Sequence, residues 1–202
     1  MAQLTLLLAS HNQGKIREIK KYLASLPLKI TSLLEEGIKE KFQEVGTSFA
    51  ANARGKAFFY ARFSSGLTLA EDSGLEIENL GGAPGVHSAR FAGEEANDEA
   101  NIEKVLTLLE GVPLAQRKAR FVCWMVLVKD RQIITEISAE VAGYILEEKR
   151  GTHGFGYDPI FFYPPLKKTF AELTPEEKNS LSHRGKALFQ LKEFLKQYLE
   201  KI

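Results

Sequence analysis

Apolar residues fall along this chain in two recurring patterns. Short apolar runs bounded by polar turn residues mark buried strands, and apolar residues three or four apart mark helices. The run at 4–9 predicts a buried strand. Ile16, Ile19, Tyr22, Leu23 and Leu26 then recur at helical spacing, so a helix is expected over 15–26, stopping at Pro27. A second strand is expected over 28–34. Phe49, Ala53, Ala57 and Tyr60 mark the inner side of a long helix that follows Thr47, its expected N-cap.

Residues 66–85, "GLTLAEDSGLEIENLGGAPG", read as a strand, an acidic turn, a short strand and a glycine-rich bend. A helix is expected over 97–109. The stretch 119–128 is apolar on both faces, the mark of a central strand. After a turn at Lys129-Asp130, residues 133–146 partly alternate, with Ile137, Ala139 and Val141 set against Glu136, Ser138 and Glu140. The two long strands should form an antiparallel hairpin. The last helix is expected to start near His183, with Ser182 available as its cap, and to bury Leu188, Leu191, Leu195 and Tyr198. This order, α/β first and antiparallel β second, predicts a mixed α/β sheet with two lobes and a cleft between them.

Composition narrows the partners. The 202 residues suffice for one domain, or two lobes sharing a sheet. A formal net charge of +1 supplies no global field to attract polymeric nucleic acid or an anionic membrane, so attraction to anions must come from a local cluster. Cys123 is the one cysteine, which excludes an intrachain disulfide and a cysteine-based zinc site. It lies in an apolar run and reads as inert filling. The first ten residues have no basic leader and too short an apolar stretch for a signal peptide or membrane span, so a cytoplasmic protein is expected.

Five stretches carry candidate chemistry. In "ASHNQGK" a turn enters a helix, and its unpaired amides together with the positive end of the dipole suit phosphate. Ser10 and Asn12 add side-chain donors and Lys15 a full charge. It is not a Walker A loop, because Ala9 stands in place of the first glycine and Ile16 in place of the magnesium-binding hydroxyl. The bland alternative is a strand–helix turn with a surface lysine.

Glu71-Asp72-Ser73-Gly74 follows an apolar strand, and adjacent carboxylates there repel each other unless a cation joins them. Magnesium, which takes a few carboxylates and leaves its other positions to water and phosphate, suits the pair, with Glu44 as a further ligand. The alternative is a tight Asp-Ser-Gly turn and an exposed Glu44. In "GGAPGVHSARFAG" glycines shape a loop that a ligand could approach closely, and Arg90 beyond it could neutralise phosphate or simply make a surface ion pair. In "GTHGFGYDPIFF" an aromatic ring could stack on a base while Asp158 or an amide reads its edge; the alternative is an aromatic-filled hairpin corner. Finally Lys178, His183, Arg184 and Lys186 gather basic groups at a helix entrance, although a lone histidine is more often structural.

Taken in order, "SHNQGK", "EVGTSFAANARGKA", "EDSGL…LGGAPGVHSARFAG", "FGYDPIFF" and "EEKNSLSHRGKAL" closely resemble the inosine triphosphate pyrophosphatase family, also called the Ham1 or RdgB family, over about 6–191. The resemblance implies a fold with an elongated central sheet, two lobes flanked by helices, an active-site cleft and a homodimeric assembly. It implies magnesium-dependent hydrolysis of the non-standard purine nucleoside triphosphates ITP, dITP and XTP to monophosphate and pyrophosphate. It places Ser10, His11, Asn12, Gln13, Gly14, Lys15 and Lys56 on the triphosphate, Arg90 and Ser73 on substrate, and Phe155, Gly156, Tyr157, Asp158, Lys178, His183 and Arg184 around the nucleoside. Glu44 and Asp72 would serve the metal, with Asp72 also the proton acceptor. Many bacterial members carry Asp-Asp-Ser-Gly where this chain has Glu71-Asp72-Ser73-Gly74, which leaves Glu71 either a ligand or a neighbour of one.

Competing readings are a Maf-like pyrophosphatase of modified or pyrimidine triphosphates, and a sensor that binds nucleotide without cutting it. The last two stretches favour the purine family. The acidic residues disfavour a sensor, because a pure triphosphate binder gains little from extra negative charge without a metal.

Overall fold

The computed structural model describes residues 3–95 and 97–201. Among the described residues, seven strands form one sheet in the order β2-β1-β3-β4-β5-β6-β7, with the strands at Thr5–Ala9, Lys29–Ser32, Leu67–Ile77, Lys118–Lys129, Gln132–Ile145, Phe161–Tyr163 and Lys168–Thr169. Strand β1 pairs in parallel with both β2 and β3, whereas β6 runs antiparallel to β5 and β7. The helices are α1 (Gln13–Leu23), α2 (Phe49–Tyr60), α3 (Asp98–Leu108), α4 (Pro175–Leu181) and α5 (His183–Leu199). The sheet is thus mixed and open, flanked by helices, as the order of elements predicted.

The chain divides into two compact units: residues 1–72, 123–139 and 187–202 in the first, and 73–122 with 140–186 in the second. In the first unit, alternating strand residues part to two faces. Leu6, Leu8, Leu67, Leu69, Cys123, Met125 and Leu127 pack with Ile16, Ile19 and Leu23 of α1 and Leu188, Leu191 and Leu195 of α5. Their neighbours Leu7, Ala9, Ala70, Val126 and Val128 pack with Ala53, Ala57 and Tyr60 of α2. A strand covered on both faces must be apolar on both faces, which is why 123–128 reads as it does, whereas Arg120 before it is exposed and ion-paired. Tyr198 is only half-buried against the first of these cores.

In the second unit Ile102 and Val105 of α3 pack with Leu75, Ile77, Phe121, Val141, Ile145, Tyr157, Phe161 and Phe170. The buried Arg117 guanidinium donates to the carbonyls of Leu109, Val112 and Leu146, satisfying backbone acceptors beyond the end of α3.

Several local expectations shift. Helix α1 starts at Gln13, because the Asn12 side chain caps Lys15 N, and it ends at Leu23. Ser48 rather than Thr47 caps α2, accepting from Ala51 N. The hairpin turn is Asp130-Arg131, both with left-handed φ, and a two-residue turn joins β4 to β5. The largest difference is at Glu71-Asp72-Ser73-Gly74: no turn forms, and β3 runs unbroken through all four residues.

Candidate active site

The first unit gathers the acidic residues around two lysines. Successive strand positions project to opposite faces, so Glu71 and Asp72 take different partners. Glu71 Oε1 lies 3.2 Å from Lys15 Nζ. The Lys56 ammonium, delivered by α2, lies 2.5 Å from Glu44 Oε1 and 3.4 Å from Asp72 Oδ1. The two carboxylates expected to share a cation are therefore both within ion-pair distance of one ammonium. Among the described residues no three His, Cys, Asp or Glu side chains come together as a metal-binding group, and Glu71 stands with Lys15 instead.

Burial sets the proton affinities here. Burial pushes the Asp72 carboxyl above its ordinary range and Glu44 adds to that, while Lys56, Lys15 and the Asn52 amide pull it partly back. Burial alone would lower the Lys56 ammonium, but Asp72 and Glu44 outweigh it and its pKa is raised. The lysine's direction follows from its facing two carboxylates, and the carboxyl's from its burial. The donor set suits magnesium, since all three acids offer hard oxygens and the Glu44–Asp72 pair already accommodates a positive charge.

Asn52 was not singled out from sequence. Its side chain is buried, donating to Asp72 Oδ2 at 3.0 Å and accepting from Gly46 N at 2.8 Å. The available signal was its spacing: Asn52 and Lys56 are polar residues four apart on the otherwise apolar inner face of the helix.

Strand β1 leads into the stretch Ser10–Lys15, whose last residue pairs with Glu71. Ser10 Oγ accepts from Asn12 N at 3.1 Å, and Asn12 Oδ1 accepts from Lys15 N at 3.0 Å. The Asn12 side chain thus spends its oxygen on the helix, leaving the amides of Gln13 and Gly14 at the first turn of α1 as the anion-facing kind. His11 is exposed and its Nε2 lies 3.2 Å from Tyr60 Oη.

The second unit gathers the aromatic and basic stretches. Asp158 and Lys178 form a buried ion pair of 2.6 Å, and the same Asp158 oxygen accepts from Phe155 N at 2.9 Å. Gly154, at φ 81°, packs so close that any Cβ there would collide with the Asp158 carboxylate. Lys178 Nζ lies 4.7 Å and Arg184 Cζ 5.4 Å from the centre of the Phe155 ring. Arg184 also donates to Ser73 Oγ at 3.0 Å, tying the helix entrance to β3.

His183 is buried and stacks on Phe121 at 4.8 Å between ring centres and 12° between planes. Tyr157 is likewise buried, donating to Ser88 O at 2.7 Å, and burial raises its hydroxyl pKa. Ser182 Oγ accepts from Gly185 N at 3.0 Å, the expected cap of α5. Arg90 makes an i,i+4 ion pair of 3.4 Å with Glu94. Lys186 donates to Glu140 O. A separate cavity of about 360 Å³, lined by Glu76, Glu78, Lys118 and Arg120 among others, holds none of the expected residues.

The Ham1 family model matches residues 6–194. A dITP/XTP pyrophosphatase from Bacillus subtilis is 47% identical over 189 residues, spanning 94% of this chain and 96% of that protein. A second dITP/XTP pyrophosphatase, from Caldanaerobacter subterraneus, is 45% identical over 199 residues and 98% of each. Among solved structures, a HAM1 protein from Coxiella burnetii superposes with TM-score 0.88 at 40% identity, covering 96% of this chain and 99% of the other. The Ham1 protein of Staphylococcus aureus gives 0.85 at 38% identity, covering 96% and 99%. With the family model spanning nearly the whole chain and relatives this similar along their full length, the chain belongs to the Ham1 family.

Proposed function

We propose that this chain hydrolyses non-canonical purine nucleoside triphosphates, ITP, dITP and XTP, to the monophosphate and pyrophosphate. The observation that carries the reading is the shared Lys56 ammonium between Glu44 and Asp72, beside a helix entrance that bears Lys15. It is supported by relatives named dITP/XTP pyrophosphatase along the chain's full length.

Pyrophosphate release requires water to attack the α-phosphorus while the leaving group stays in line, so the protein's work is positioning and charge stabilisation. Lys15, Lys56, Ser10 and the amides of Gln13 and Gly14 hold the β- and γ-phosphates. Asp72 orients the water and accepts its proton, and its raised proton affinity brings it nearer the value a general base needs. Glu44 and Asp72, with Glu71 beside them, are the residues that would hold magnesium. When bound, that ion would supply neutralisation of charge on the phosphate oxygens.

The base falls to Phe155–Asp158, Lys178, His183 and Arg184. Hypoxanthine and xanthine carry O6 and N1–H, whereas adenine carries an amine and a bare N1. A pocket donating to O6 and accepting from N1–H would leave buried groups unpaired with adenine, a mismatch that is heavily penalised. Lys178 is the donor, and Asp158 the acceptor. We further propose a homodimer working in the cytoplasm, which light scattering and fractionation would check.

The deciding experiment is a panel of nucleoside triphosphates with magnesium or chelator, with pyrophosphate and phosphate release measured separately. Preference for ITP and XTP with pyrophosphate as product supports the reading. Preference for pyrimidine or modified bases, or binding without turnover, overturns it. Asp72→Asn should remove nearly all turnover, a loss of about 10²–10⁴-fold for general-base help alone, while leaving the fold intact by circular dichroism.

A further inference from the structure

Helix α3 has been assigned no part in the reaction, yet its first two turns hold two loops of the second unit. Asp98 Oδ2 accepts from Gly156 N at 2.7 Å. One turn later the buried Asn101 side chain accepts from Ala92 N at 2.8 Å and donates to Ala89 O at 3.2 Å. Lys104 Nζ reaches Phe91 O at 2.5 Å. The loop gripped by Asn101 is in turn bonded to the aromatic loop, because Ser88 O accepts from Tyr157 Oη at 2.7 Å.

The aromatic loop is therefore pinned from both sides of Phe155. On one side Asp158 takes the Phe155 amide and Lys178. On the other, Asp98 takes the amide of Gly156, a residue at φ 62° that no regular ladder would hold in place. Two successive amides of the loop are thus bonded to carboxylates, one within the loop itself and one from α3, which constrains the backbone that carries the ring. The Asp98 carboxylate lies near enough to Tyr157 to reinforce the upward push that burial gives its hydroxyl.

We propose that Asp98 is a positioning residue for the base: through the Gly156 amide it presets the Phe155–Asp158 loop, and so governs substrate affinity and base discrimination rather than the chemical step. This rests on the reading of that loop as the base-binding element.

Asp98→Ala, Asp98→Asn and Glu99→Ala test it. Glu99 shares the first turn of α3 and the same helix dipole but pairs with Lys149, so it controls for helix stability. Loss of a charged acceptor predicts a KM for dITP raised roughly five- to tenfold in Asp98→Ala at nearly constant kcat, with dITP-over-dGTP preference reduced. Asp98→Asn keeps an acceptor and should recover most of the loss; Glu99→Ala should match wild type. Amide exchange of the nucleotide-free protein gives a second readout: Gly156 should lose protection in Asp98→Ala alone. Unchanged KM and unchanged Gly156 protection in Asp98→Ala overturn the proposal, as does an equal effect in Glu99→Ala. Faster Gly156 exchange with unchanged KM and preference overturns the role in base binding. If the wild-type protein turns over no purine triphosphate, the functional reading fails instead, and the exchange measurement still decides whether the latch exists.

Discussion

Lys56 is the residue on which the electrostatics of the first unit turns. Its buried ammonium is the common partner of Glu44 and Asp72, which raise its proton affinity, and in return it offsets part of the upward push that burial gives the Asp72 carboxyl. Removing one partner of a buried ion pair leaves the other uncompensated, which costs about 3–5 kcal/mol. Glu44 is a quarter exposed, so the lower end of that range applies. Lys56→Met should therefore lower the urea midpoint markedly. Because the two carboxylates would then lack their shared cation, magnesium should raise the melting temperature of Lys56→Met more than that of wild type. Equal magnesium shifts in the two proteins would mean that Glu44 and Asp72 do not share the ion. Asn52 belongs to the same argument. By bonding Asp72 with its amide and Gly46 N with its carbonyl, it fixes the strand carboxylate against the loop that carries Glu44.

Elements place these groups, and their legibility differed for physical reasons. Strand β1 and residues 123–128 of β4 were readable because helices cover both faces there and demand apolar residues. The Glu71–Gly74 segment was not, since Asp-Ser-Gly is turn chemistry by local preference. Lysines from two different helices neutralise the acids there, and with that neutralisation the strand continues. Helix α4 went unread although Thr174-Pro175-Glu176-Glu177 carries its start signals: a threonine cap, proline at the first turn and a glutamate closing a capping box. The candidate residues were recognisable as motifs, whereas Asn52 and Asp98 were not, because each acts on a backbone or side chain remote in sequence. A second capping box, Thr169 with Glu172, holds the strap beside the aromatic loop: Thr169 Oγ1 donates to Arg150 O, and Ala171 O accepts from Thr152 N and His153 N. The Thr169 amide, with help from the Arg150 guanidinium, holds the Glu172 carboxyl below its ordinary 4.5, against an opposing push from desolvation. A carboxyl lowered on folding stabilises the fold at neutral pH, and that contribution disappears as pH falls through the folded value. Glu172→Gln should thus lower the urea midpoint at neutral pH and narrow its gap to wild type as pH falls below 4.5. A gap that stays constant across that range would assign the loss to packing instead.

At the scale of the whole molecule, 27 basic and 26 acidic residues leave a formal charge of +1, so the protein carries almost no net field for an anionic substrate to follow. The positive groups that matter are local, and most are already matched: Lys15 with Glu71, Lys56 with Glu44 and Asp72, Lys178 with Asp158. Steered association depends on charge felt beyond a Debye length, about 10 Å at 0.1 M salt, whereas paired charges a few ångströms apart cancel well inside it. Capture of a magnesium–nucleotide complex should therefore depend weakly on ionic strength. Raising monovalent salt from about 0.05 to 0.3 M should lower kcat/KM for dITP by less than roughly threefold, against the far steeper losses of proteins that neutralise many phosphates. The same balance predicts no retention of duplex DNA or structured RNA on a filter at physiological salt. A fall in kcat/KM of more than tenfold would reveal an unmatched positive surface at work and would reopen the case for a polyanionic partner. A weak dependence would support the proposed recognition by short-range pairing at the lysines and the aromatic loop.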